Sequence, residues 1–109
     1  MKFVVKPVVN DILEELVTVL YQQKYFSYEE TAKEYVNGLL DDIYLNLPIK
    51  QKKPAPKYFE RYGKGMYYAV FRRNKHTSWY VFFRMYQENE ELTYQIRYIT
   101  NNHVDAHHF

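Results

Sequence analysis

The stretch MYYAVFRRNKHTSWYVFFRMYQENEELTYQIRYITN, residues 66–101, decides the fold. Two short polar links, NKHT and ENEE, divide it into three runs, 66–73, 78–86 and 92–101, each dense in Tyr, Phe, Val, Ile and Trp. Aromatic and β-branched side chains suit a pleated, half-buried surface, so each run reads as a strand. Links this short close hairpins, and three strands joined by two hairpins make an antiparallel meander. Turns centred on Lys75-His76 and Asn89-Glu90 set the register, and a one-residue slip would carry a whole strand's side chains across the sheet. In that register Trp79, Val81, Phe83 and Met85 share a face with Tyr68, Val70, Tyr94, Ile96 and Tyr98. The opposite face collects Tyr67, Phe71, Arg73, Tyr80, Phe82, Arg84, Gln95, Arg97, Ile99 and, just past the strand, His103. The first face is expected to be core. The second is aromatic and cationic together.

Upstream, IKQKKPAPK (49–57) has no apolar periodicity and reads as a loop, and YFERYGKG (58–65) as a tight connection in which Gly63 and Gly65 bracket Lys64. Earlier still, Val9, Ile12, Leu13, Leu16, Val17, Leu20 and Tyr21 recur at helical spacing, and Pro7 suits the first turn of that helix. A second helix opens on a capping box, with Ser27 as N-cap and Glu30 three residues on. Its apolar face is Ala32, Tyr35, Val36, Leu39, Leu40, Ile43 and Leu47, and Pro48 stops it. KFVVK (2–6) reads as a leading strand. The order β-α-α-β-β-β predicts an α+β domain, residues 1–109, with a helical hairpin packed on one face of the sheet.

Cysteine is absent, which excludes disulfides, thiolate metal sites and cysteine nucleophiles and fits a cytoplasmic protein. No apolar run approaches the ~20 residues that span a bilayer, and the N-terminus turns acidic too soon for a signal peptide. The net charge of +2 conceals an asymmetry. Residues 1–47 hold four Lys/Arg against eight Asp/Glu, residues 48–84 hold ten against one, and residues 85–109 hold one against four. A basic block of that density, interleaved with aromatics, is an electrostatic footprint for a polyanion.

Four features together resemble the RelE/ParE superfamily of toxins from type II toxin–antitoxin systems. They are a short strand before a helical hairpin, the proline-lysine loop leading into PKYFERYGKG, the tandem MYYAVFRR and TSWYVFFRMY, and the closing YQIRYITNNH. The resemblance implies an antitoxin partner and, in the branch resembling RelE, a ribosome-dependent mRNA endoribonuclease needing no metal or other cofactor. It places a histidine or tyrosine near the end of the last strand, where His103 falls. The alternatives the resemblance leaves are the branch resembling ParE, a non-catalytic toxin that binds a protein target such as DNA gyrase, and a non-toxic relative of the family. The chain departs from the RNase pattern at Trp79, where those members often carry arginine, and at Tyr67, Tyr68 and Ala69, where they often alternate basic residues.

Metal-independent RNA cleavage needs a base for the 2′-hydroxyl, cations on the phosphorane and an acid for the leaving oxygen. The candidates are His103 as acid or base, with Arg97 and Arg84 as the clamp. Lys64, Arg72 and Arg73, with Tyr80 and Phe82 as stacking platforms, are the expected RNA contacts. His107 and His108 read as tail, and with no third ligand near His103 and His107 no metal site is expected.

Overall fold

The structure is a computed structural model and describes residues 1–22 and 29–109. Its elements run β1 (Lys2–Val5), α1 (Pro7–Gln22), α2 (Glu29–Asn46), a 3₁₀ turn (Leu47–Ile49), β2 (Lys53–Pro54), a 3₁₀ helix (Lys57–Tyr62), β3 (Tyr67–Asn74), β4 (Thr77–Glu88), β5 (Glu91–Asn101), α3 (Asn102–Asp105) and a closing 3₁₀ turn (Ala106–His108). The architecture is α+β, with both long helices on one face of the sheet, as the patterning predicts. The capping box at Ser27 and the side chains of Leu20 and Tyr21 lie outside the described residues. No helix among the described residues is long and apolar enough to cross a membrane.

The sheet has five strands, in the order β1-β5-β4-β3-β2. β1 pairs in parallel with β5, so the meander is extended at one edge by the leading strand. At the other edge Lys53 and Pro54, expected to be loop, pair with Tyr68 and Tyr67. A two-residue strand ending in proline suits an edge, where one ladder hydrogen bond can be given up.

Two β-bulges correct the expected faces. The turn at Lys75-His76 holds, with Asn74 opposite Thr77, but the register then shifts so that Arg72 opposes Ser78 and Phe71 opposes Trp79. Arg73 is the extra residue. A one-residue shift inverts a strand, so Tyr67, Ala69 and Phe71 turn toward the helices and Tyr68 and Val70 turn away. The turn at Asn89-Glu90, both with positive φ, also holds. A second shift at Phe82/Phe83 makes Arg97 the extra residue, with Ile96 opposite Phe83 and Tyr98 opposite Phe82. Beyond that bulge Ile99 joins the helix-side core and Tyr98 leaves it.

The helix-side core joins Val9, Leu13, Val36, Leu39, Ile43 and Leu47 to Ala69, Phe71, Trp79, Val81, Phe83, Tyr94, Ile96 and Ile99. Trp79 satisfies its indole N–H by donating to the Tyr35 hydroxyl at 3.0 Å. Arg73 docks β3 against α2, its Nη1 3.5 Å from the Asp42 carboxylate and its guanidinium 5.6 Å from the Tyr35 ring centre.

Candidate functional site

The second sheet face is closed by the chain itself. The 3₁₀ helix Lys57–Tyr62 lies across it, and Phe59, fully buried, stacks on the equally buried Phe82 at 4.3 Å. Tyr62 stacks flat on Tyr98 at 3.7 Å. The C-terminal segment completes the cover, with Phe109 4.2 Å from Tyr80 and 5.1 Å from Phe59. Three or four rings held in offset and tilted contact bury apolar area that an open sheet would leave wet. Phe82 is therefore not a platform for a base, and Tyr80 is half-covered by Phe109. The expected aromatic RNA surface is a second small core.

Residues 102–109 are built into this cover. The Asn101 side chain accepts from the backbone N–H groups of His103 and Val104, which caps α3. One turn on, Asp105 is 5% exposed. Its carboxylate accepts from the Thr100 hydroxyl at 2.6 Å and the Tyr98 hydroxyl at 3.3 Å, and His108 Nε2 lies 3.8 Å away. Burial, then the Tyr62 hydrogen bond and the Asp105 charge, push the Tyr98 phenol above its ordinary pKa of 10.0. Burial and the neighbouring His107 hold the His108 imidazole below its ordinary value, Asp105 opposing. His108 stacks on Tyr58 at 3.4 Å with the rings nearly parallel. Far from being loose tail, His108 is part of the clasp.

The three expected catalytic residues do not meet. His103 Nε2 lies 3.0 Å from the Thr77 hydroxyl, at the start of β4. Arg84 is seven residues farther along that strand, paired opposite Gln95, which at ~3.3 Å per residue is about 23 Å. Arg97 sits at the bulge near the Arg84 end, half-buried, donating through Nε to the Tyr62 carbonyl and through Nη1 to Gln95 Oε1, both at 2.9 Å. No single phosphate can touch all three. The expected RNA contacts are also scattered. Lys64 and Arg72 are exposed, Arg72 donating to the Lys75 carbonyl, whereas Arg73 faces the helices and Asp42. Consecutive strand residues point to opposite faces, which separates the two neighbours.

One cluster that sequence reasoning missed does converge. Lys6, Arg61 and Arg97, from three distant stretches, line a cavity of about 330 Å³ with Pro7, Val8 and Tyr62. Gly63 makes its geometry possible. At φ 151° a Cβ there would stand 2.5 Å from Arg97 Nε. Gly63→Ala should cost about 1–3 kcal/mol of strain and displace Arg97, which a denaturant melt and the chemical shift of the Arg97 Nε–H would report. A stability loss with an unmoved Arg97 signal would show that the glycine serves the backbone alone.

No family model matches this chain, and no curated protein matches it. Among the described residues no three His, Asp or Glu side chains form a group suited to a metal ion.

Proposed function

We propose that this chain is the toxin of a type II toxin–antitoxin pair of the RelE/ParE kind, working in the cytoplasm, and that it acts by binding its target. The reading rests on the resemblance across the β-α-α-β-β-β order. One observation favours binding over RNA cleavage: His103 sits against Thr77 at the start of β4, and Arg84 lies seven residues farther along that strand. Acid–base chemistry on a phosphodiester requires its groups within about 3 Å of the reacting atoms. A protein target of the gyrase type needs no such convergence. It needs a rigid scaffold, and the double-sided packing of this sheet supplies one. The basic segment 48–84 suits an acidic stretch of an antitoxin encoded beside this chain.

Induced expression tests this reading. Growth should stop with filamentation while mRNA 5′ ends stay unchanged, and the neighbouring gene's product should restore growth. Cleavage phased to codons would overturn the binding reading in favour of a RelE-like endoribonuclease.

A further inference from the structure

The cavity at the junction of β1, α1, the 3₁₀ helix and the β5 bulge holds three cationic side chains, and no carboxylate lies within ion-pairing distance of Lys6, Arg61 or Arg97 among the described residues. Like charges gathered without a counter-charge repel one another, and an arrangement held in place against that repulsion suits an anion. The two guanidinium groups are held, and the backbone places Lys6 beside them. The backbone of Lys6 is fixed at both ends, its N–H donating to the Ile96 carbonyl at 3.0 Å and its carbonyl accepting from Val9 N–H at 2.9 Å. Arg61 donates through Nε to the Tyr58 carbonyl and lies 3.8 Å over the Tyr58 ring. Arg97 spends two of its five N–H donors on Tyr62 and Gln95. The rest of its planar fork is left for a ligand.

We propose that this cavity binds the phosphate group of a small phosphate-bearing ligand. A guanidinium fork matches two phosphate oxygens, and a lysine and a second arginine supply the remaining charge. About 330 Å³ is room for more than one phosphate group. Pro7 and Val8 give the cavity an apolar side, which suits the organic part of a phosphate ester. The positive end of the 16-residue α1 opens at Pro7 and adds in the same direction. This goes beyond the toxin reading, which does not use Lys6 and gives the cavity no small-molecule ligand.

The test is a nitrogen-edited NMR titration of the full chain at fixed ionic strength, with sodium pyrophosphate in one arm and adenosine 5′-monophosphate in the other. Saturable one-to-one shifts centred on Val8, Gly63 and Arg97 are expected. Arg97→Gln and Lys6→Gln should each weaken binding about ten-fold or more, while Lys75→Gln, in the β3–β4 turn, should not. Lys6→Gln leaves the backbone bonds intact, so it remains informative if Arg97→Gln loosens the 3₁₀ helix. Tighter binding of pyrophosphate would support a free anion as the ligand, and tighter binding of the nucleotide a phosphate ester. Absence of saturable shifts overturns the proposal. So do shifts spread over the basic segment that the two cavity variants leave unchanged.

Discussion

Phe59→Ala is expected to cost about 3–5 kcal/mol, the range for deleting a fully buried aromatic side chain. Phe59, on the 3₁₀ helix, joins the sheet to the C-terminal segment, touching Phe82, Tyr98, Tyr62, Tyr58, His108 and Phe109. Its loss leaves a cavity over Phe82 that neither neighbouring element can fill, because one is pinned by the Pro56–Phe59 turn and the other by the Asn101 cap. A urea melt reads the loss directly, and binding of a hydrophobic dye would show the uncovered face. A cost below ~1 kcal/mol, no more than an exposed side chain contributes, would mean that the 3₁₀ helix does not close the sheet.

Asp105→Ala ranks next. It leaves the Thr100 and Tyr98 hydroxyls without their acceptor, and a buried donor stripped of its partner costs about 1–3 kcal/mol. It also removes one of the causes that raise the Tyr98 pKa. A phenol that stays neutral in the folded chain contributes stability that is fully present below pH 10 and is lost as the pH rises through its folded value. Wild-type chain should therefore hold one tyrosine resistant to ionisation above pH 10, and Asp105→Ala should let it ionise earlier and lose less stability to that ionisation. Spectrophotometric titration of tyrosinate checks both. Identical curves would exclude Asp105 as one of the causes of the shift.

The helices and the three long strands were legible because burial on one side imprints a period, 3.6 for Val9 to Val17 and 2 for Trp79 to Phe83. The faces were only half legible. Arg97, Arg84, Tyr80 and Phe82 lie on the face expected of them, and Phe71, Ile99, Tyr68 and Tyr98 lie on the other. Both errors begin at a bulged arginine, and a bulge without glycine leaves no local mark in the sequence. The cover of the second face was invisible for another reason. A 3₁₀ helix and a capped C-terminal turn are too short to show a period, although Asn101 before His103-Val104 is a readable capping signal. The cation cluster draws on residues 6, 61 and 97, which only the tertiary fold brings together.

Whether the expected catalytic residues are apart can be measured in solution. The chain has no native cysteine, so a pair introduced as Arg84→Cys and His103→Cys gives two unique spin-label sites. Pulsed electron–electron resonance should return a distribution centred at about 20 Å or more, the span of seven strand residues. A distribution collapsed to ~10 Å or less, as two groups acting on one phosphate would require, would contradict the account and restore the endoribonuclease reading.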